Sequence, residues 1–434
     1  MTRPSKSTLK PTHCLTALAG ALLLAGCGEN VSAPVAETAA SAVATFTASN
    51  PSDFIRRDTR LTWPLAELGL SAQEARHLVA KSGDTLLSGQ LIDTDGDDTA
   101  DLFSILVDLD ALAKQEIQLI DDAALAAELA KRPARAQAEI SIKEGGQWNG
   151  KRYEGGEFIN VDTITLPEQY TDHSEWIRYE GPGIESDRVA YRIYLDWRNG
   201  FDIFGKKQPG LKLQEIGLDG YDSYHEMSDW GADILKVGDS LGMGGFGFWN
   251  GEKVIRVEQT DGRSATVTNS GQIMASFTID YAGWNLSEHK ADLDASFSMT
   301  AGSPLVYVKL GTSETLPNMA IGLGKHDAAE VLTGDLGDDS DWAYLATFGE
   351  QTLFNDGLGE FIFYRKSDAR ELVEDQHNHA VVMKDTGAGL EYYFGAVWSG
   401  EAQGISDRSA FEAFLAQEIE KLAQPVLIAR NAED

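Results

Sequence analysis

The chain has 434 residues, 42% hydrophobic and 9% aromatic, enough for a large core in one big domain or two of ordinary size. Its 68 acidic residues outnumber 36 basic ones, for a formal net charge of −32. That balance excludes nucleic acid as a partner, because no basic footprint is present to displace counterions.

Taken in chain order, the first segment is not part of the fold. Arg3, Lys6 and Lys10 precede the apolar run "CLTALAGALLLAG", and small residues lead into a cysteine. A basic region, a short apolar region and small residues make a bacterial export signal over residues 1–26. The run is too short for a transmembrane helix. Leu24-Ala25-Gly26-Cys27 resembles a lipobox, which implies cleavage before Cys27 and acylation of its thiol. The expected location is periplasmic or at the cell surface, held to the membrane through that lipid. Cys14 lies inside the signal, so no disulfide is expected in the mature chain. Residues 27–50 are small and polar and read as a flexible tether. The folded body is expected over 51–434, with a strand-rich subdomain over 51–145 as one way of dividing it.

"RRDTRLTWPLAEL" and "LFSILVDL" read as short strands joined by tight turns. "DDAALAAELAKRPARAQAEI" carries helical spacing and predicts a helix around 122–136. Beyond it strands dominate, in "WIRYEGPGIESDRVAYRIYLDW", "ATVTNSGQIMASFTIDYAGW", "EFIFYRK", "NHAVVMKD" and "LEYYFGAVW". "DRSAFEAFLAQEIEKLAQ" predicts a closing helix capped by Asp407, with Phe411, Phe414, Leu415 and Ile419 on one face. Many antiparallel strands and few helices give a mainly β protein, a large antiparallel β-sandwich with a few short helices. Without βαβ alternation, the glycines at 242, 244, 245 and 247 are no dinucleotide fingerprint.

Several constellations carry chemistry. "DTDGDDTAD" places Asp93, Asp95, Asp97 and Asp101 at positions 1, 3, 5 and 9, a spacing that suits calcium or a solvated acidic turn. It departs from an EF-hand, with glycine fourth and no glutamate twelfth. His377 and His379 share one face of a strand and suit a transition metal only if a third ligand arrives from elsewhere. Tyr224-His225, Lys325-His326 and Asn378-His379 pair a histidine with polar or aromatic neighbours, in the manner of a proton carrier or of a hydrogen-bonded structural histidine. Arg188 and Arg192 project in line from "ESDRVAYRIYLDW" and could grip a carboxylate or sulfate, or form a salt-bridge ladder. "GDSLG" lacks the strand–turn–helix setting of a nucleophile elbow.

The combination of "ESDRVAYRIYLDW", "YDSYHEMSDWGADILKVGDSLGMGG", "NDGLGEFIFYRK", "NHAVVMK" and "YYFGAVW" resembles the domain-of-unknown-function 4861 family, exported bacterial proteins linked to polysaccharide utilisation. The resemblance runs from about Phe54 to Val426. It implies a galactose-mutarotase-like supersandwich and a kinship with an oligosaccharide dehydratase of ulvan degradation. Such an enzyme removes water from a non-reducing-end uronic acid and leaves a 4,5-unsaturated sugar. The partner implied is an anionic oligosaccharide. The chemistry needs no cofactor, and calcium at the aspartate turn would be structural.

That reaction removes the proton α to a carboxylate and expels the 4-hydroxyl, so the carboxylate must be neutralised and two proton carriers are needed. The residues assigned are His225 as base, Tyr224 as acid or sugar contact, and His326 or His379 as second proton carrier. Arg188, Arg192 and Lys325 are candidates for the carboxylate, and Trp230, Trp249 and Trp398 for sugar faces. Two rival readings use the same fold: a glycan-binding lipoprotein without catalysis, and a sugar mutarotase or epimerase.

Overall fold

The computed structural model describes residues 41–432 apart from 222, 386 and 388. The export signal, Cys27 and the first part of the tether lie outside the described residues. Among the described residues no helix is long and apolar enough to cross a membrane.

The folded body begins earlier than the sequence suggests. Ser41–Ser49, read as the end of the tether, is a strand that pairs antiparallel with Lys114–Asp121 on one side and Leu427–Arg430 on the other. "SAVATFTAS" alternates, and Ala44, Phe46 and Ala48 point into a core with Trp63, Phe103 and Leu119. Small side chains hid the alternation, because alanine and threonine carry weak hydropathy contrast. The strand opens a five-stranded sheet that also takes Leu78–Ser82 and Thr85–Leu87. A three-stranded sheet of Arg56–Pro64, Leu102–Leu109 and Gly89–Ile92 packs against the same core. The expected strand-rich N-terminal region is therefore present, but it is closed by a strand from the far end of the chain.

The larger layer is a nine-stranded antiparallel sheet. Its order is Thr163–Thr165, Gly262–Asn269, Met274–Asn285, Lys290–Thr300, Leu305–Thr312, Leu390–Trp398, Leu358–Arg365, Trp342–Gly349 and Ala329–Asp335. In "KADLDASFSMT" every second residue is buried, which fixes the register of one core-facing side. Two five-stranded sheets cover that side. One holds Gly231–Asp233, Phe201–Lys206, Ala190–Ile193, Gly183–Ser186 and Ala136–Glu139. The other holds Val254–Arg256, Met243–Trp249, Met319–Gly324, Asn378–Met383 and Ala369–Glu374. The strands Ala190–Ile193 and Phe201–Lys206 are buried along their whole length, so Arg192, Asp202 and Lys206 lie inside among apolar and aromatic neighbours. Phe201, Phe246, Phe277, Phe297 and Phe394 fill the space between layers. The architecture is the mainly β, antiparallel sandwich that the sequence predicts.

The two five-stranded sheets meet at the glycine tract. Phe201 forms a parallel bridge with Gly242, whose φ is +71° and whose missing Cβ would lie 2.0 Å from the Phe201 carbonyl oxygen. Gly244 makes a comparable approach to the Phe394 side chain. The glycines serve close backbone approach and bind no phosphate loop.

The helix expected around 122–136 is shorter, Ala123–Leu129. Asp122 caps it through Oδ1, which accepts from the backbone N–H groups of Ala124 and Leu125. Pro133 follows, and Ala136–Glu139 joins a sheet. The closing helix Arg408–Ala423 forms as predicted, with Asp407 at its N-cap. Phe411, Leu415 and Ile419 are buried against Phe361 and Phe363.

Candidate functional site

The five-stranded sheet that contains Arg192 carries an ionic cluster at its heart. Arg192 and Asp202 face each other in the antiparallel register, so both side chains emerge on one side of the sheet. The guanidinium lies 2.7 Å from Asp202 Oδ2 and 2.5 Å from Asp233 Oδ2 on the next strand. It also donates to the hydroxyls of Tyr194 and Tyr224, each at 3.1 Å, and is packed by the rings of Tyr194, Phe204 and Tyr224. Arg192 is 1% exposed and its guanidinium is taken up by Asp202, Asp233, Tyr194 and Tyr224, which leaves it no open face toward a substrate carboxylate. Burial, then the nearby charge of Asp202, holds the Asp233 carboxyl well above the ordinary carboxylate range, against the opposing pull of Arg192.

The single turn Ser223–His225 rests on this cluster. Tyr224 is 2% exposed with its hydroxyl on Arg192, which removes it from contact with a substrate. Burial pushes its pKa up, although Arg192 opposes the shift. His225 is partly exposed. Its Nδ1 lies 3.1 Å from the Tyr221 carbonyl and its Nε2 lies 3.3 Å from Asp233 Oδ2.

Tyr221 completes the surface. Its ring lies between His173, at 4.5 Å between centroids, and His225, at 5.1 Å, so three proton-bearing rings stand in a row. Burial and then the charge of Glu180 push the Tyr221 phenol up to about 12, which leaves it a proton donor at neutral pH. His173 is half exposed, and its Nδ1 lies in close contact with Asp172 Oδ1. Behind it, Arg198 Nη2 lies 2.8 Å from Asp172 Oδ1, 2.7 Å from Glu180 Oε1 and 2.5 Å from Asp196 Oδ2. Asp172, His173 and Glu180 converge closely enough to hold a metal ion. Arg198 already occupies the position of a cation between the two carboxylates; burial works against its charge, and Asp196, followed by Glu180, outweighs that effect and keeps it charged.

The backbone here is unusual. His173, Glu175, Tyr179, Glu180 and Asn199 all have positive φ, between 41° and 73°. Such conformations cost about 1–3 kcal/mol each and persist where the surroundings enforce them. Among the described residues, Asp172 Oδ1, Glu180 Oε2 and Asp233 Oδ1 are buried oxygens without a hydrogen-bond partner. Strain and unsatisfied acid oxygens thus coincide beneath the His173–Tyr221–His225 row.

The remaining predicted residues fall elsewhere. Arg188 does not act with Arg192, because it leaves the strand's register and faces Glu401 at 3.5 Å. Lys325, His326 and His379 form a separate group on the other five-stranded sheet. There Glu374 Oε2 lies 3.4 Å from Lys325 Nζ and 3.6 Å from His379 Nδ1. Burial lowers the pKa of His326, and burial followed by the Lys325 charge lowers that of His379. Among the described residues, the His377–His379 pair belongs to no group of three metal-ligating side chains. Trp230 packs beside Phe204 at 6.3 Å, next to Tyr224. Trp249 covers the small cluster of Leu241, Val254, Ala320 and Ala380. Trp398 is 2% exposed with Nε1 donating to Asp356 Oδ1, a core residue and no sugar platform.

In the acidic turn, Asp93, Asp95 and Asp101 bring carboxylate oxygens together, but Asp97 is not among them and caps the Thr99 N–H. Asp93 accepts from the N–H groups of Asp95, Gly96 and Asp98, and Asp101 accepts from Thr94.

The structure therefore unites Tyr224, His225, Arg192 and Trp230 and adds residues that the sequence did not single out: Asp172, His173, Glu180, Arg198, Asp202, Tyr221 and Asp233. The one local signal was "YTDHSEW", a polar histidine-bearing loop set among strands.

An uncharacterised protein, P7, from Formosa agariphila is 22% identical over 374 residues, which cover 79% of this chain and 82% of that protein. Two solved structures from Enterococcus faecalis are each 11% identical with a TM-score of 0.46: a protein in glycosyl hydrolase family 38 and an alpha-mannosidase. The alignments cover 91% and 90% of this chain and 48% and 46% of theirs, so the chain spans about half the length of those structures. Residues 48–428 match the model of the family described as "Domain of unknown function (DUF4861)", and the chain belongs to that family.

Proposed function

We propose that the protein is a carbohydrate-active lyase or dehydratase. It would eliminate water, or a glycosyl group, from the non-reducing-end uronic acid of an anionic oligosaccharide and leave a 4,5-unsaturated sugar. The observation that carries this reading is the row His173–Tyr221–His225, open to solvent on one side and backed by buried acids and arginines. The finer kinship with an oligosaccharide dehydratase of ulvan degradation belongs to the same proposal, as does attachment to the membrane through a lipid on Cys27.

The geometry redistributes the roles. His173 is the base: Asp172 engages Nδ1 and orients the ring, which leaves Nε2 to take the proton at C5. Tyr221 is the acid, with its proton retained at neutral pH and its ring beside the base, so it can protonate the departing 4-oxygen. His225, beside Tyr221, stands where it can contact the substrate carboxylate as the enolate-like charge develops, and Arg198 holds Asp172 and Glu180 in place behind the base. Carbon–oxygen cleavage then balances: the C5 proton goes to His173, the C5 electron pair forms the C4–C5 double bond, and the leaving oxygen takes the Tyr221 proton.

The test is incubation with ulvan, alginate, pectin and glycosaminoglycan oligosaccharides, followed by ultraviolet absorbance and mass. Dehydration gives a conjugated product lighter by one water with the chain length unchanged, whereas glycosyl elimination shortens the chain. Binding without turnover on every substrate would replace the proposal with a glycan-binding function.

A further inference from the structure

A polar cavity of about 1070 Å³ lies where the strand Arg56–Pro64 crosses the outer face of the nine-stranded sheet, and it shares no lining residue with the His173–Tyr221–His225 row. Its composition runs against that of the molecule. Eight of its lining residues are lysine or arginine and five are aspartate or glutamate, whereas the whole chain has 36 against 68. Five of the eight are paired with carboxylates, for instance Arg135 with Asp58 and Asp187, and Lys206 with Glu185. A sixth, Arg56, is buried and donates to Ser52 Oγ and the Gln424 carbonyl. The two left over are Arg60 and Arg365.

Arg60 is exposed to solvent and donates to Met274 Sδ; among the described residues no carboxylate lies within ion-pair distance of it. Arg365, opposite Trp342 in the register, has its guanidinium 4.6 Å above the Trp342 ring and likewise no carboxylate partner. Between them runs an aromatic row, with Tyr307 at 5.1 Å from Tyr393 and Trp342 at 5.7 Å from Tyr393. Glu391 lines the same cavity and, after burial, adds to the upward shift of the Tyr307 phenol.

An uncompensated guanidinium in a cavity of a strongly acidic protein is a binder of anions, because the surrounding field repels them everywhere else. Arginine's planar fork matches carboxylate and sulfate oxygens in pairs. Flat rings beside it offer the apolar faces on which pyranose rings pack. We propose that this cavity binds an acidic carbohydrate chain away from the reacting end, with Arg60 and Arg365 on its carboxylate or sulfate groups and the Tyr307–Tyr393–Trp342 row against its sugar rings. The inference goes beyond the catalytic reading and holds whether or not the His173 cluster turns over sugar.

The test is isothermal titration of the full chain carrying His173→Ala, with and without Arg60→Ala/Arg365→Ala. The probes are an oligogalacturonate, a heparin-derived hexasaccharide, maltohexaose and a glutamate hexapeptide. The two acidic sugars should bind, and the double substitution should weaken them at least about tenfold, about 1.4 kcal/mol. The stronger of the two acidic probes tells carboxylate from sulfate as the preferred group. Unchanged affinity in the double variant overturns the proposal. So does equal binding of maltohexaose or the peptide, or failure of both acidic sugars to bind. Arg365→Lys, which keeps the charge and the fold but loses the fork, should weaken binding while the thermal midpoint stays in place. The titration is read in His173→Ala, where turnover plays no part, so the two proposals fail separately.

Discussion

Asp172 Oδ1 meets His173 Nδ1, and Arg198 Nη2 lies 2.8 Å from the same oxygen. The imidazole is thus placed by a carboxylate that is itself fixed by a largely buried cation, the order of support that the proposed general base needs.

His173→Ala should lower kcat by about 10²–10⁴-fold, the usual range for a general base. Stability should change by less than about 0.5 kcal/mol, because the side chain is half exposed. Asp172→Asn should reproduce part of the loss and shift the acidic limb of the pH–rate profile. Rates for His173→Ala within twofold of the wild type would remove this residue from the mechanism.

Tyr221→Phe tests the acid. The ring stack with His173 and His225 survives and only the donor is lost, so kcat should fall while KM changes little. A substrate carrying a better leaving group at C4 should recover rate in Tyr221→Phe more than in wild type. An equal response of both proteins would assign the proton to another residue.

Arg192→Met should be a stability variant. Removing one member of a buried ion cluster leaves uncompensated carboxylates and costs about 3–5 kcal/mol, read as a lower urea midpoint. Arg192→Lys should rescue only part, since one ammonium cannot span Asp202, Asp233 and the two phenols.

Glu360 gives a pH signature. It is fully buried opposite Thr347 in the register, Oε2 accepts from the Thr347 hydroxyl, and burial raises its pKa from 4.5 to about 8. The native state then binds more protons than the unfolded state between those values, so stability is fully present below pH 4.5 and falls as pH rises through 8. The slope approaches about 1.4 kcal/mol per pH unit inside the window. Glu360→Gln should flatten that part of the stability–pH curve, and an unaltered curve would show that Glu360 stays ionised.

The class of the fold was legible because burial leaves period-two marks, as in "KADLDASFSMT", and capping leaves chemical ones, as at Asp407. The site was half legible. Tyr224-His225 announced itself as an adjacent pair, yet the side chain of Tyr224 turns inward to Arg192 and that of Tyr221 takes the surface. A one-dimensional pattern does not say which of two tyrosines three residues apart faces solvent. Arg192 looked like a ligand-binding cation because its acids, Asp202 and Asp233, come from separate strands. The same holds for His173, which sits 48 residues before Tyr221 and meets it only through the fold.

The pairing of Ser41–Ser49 with Leu427–Arg430 bears on how the molecule is made. Thr47 Oγ1 donates to Asn431 Oδ1 at 2.8 Å across a separation of 384 residues. A chain emerging from the ribosome can lay Ser41–Ser49 against Lys114–Asp121 early, but the other edge of that strand stays unpaired until nearly all the rest has been synthesised. An open edge is a template for association. Partial chains released before residue 427 should therefore aggregate through this strand, and a charged substitution at its solvent-facing Thr47 should slow that aggregation.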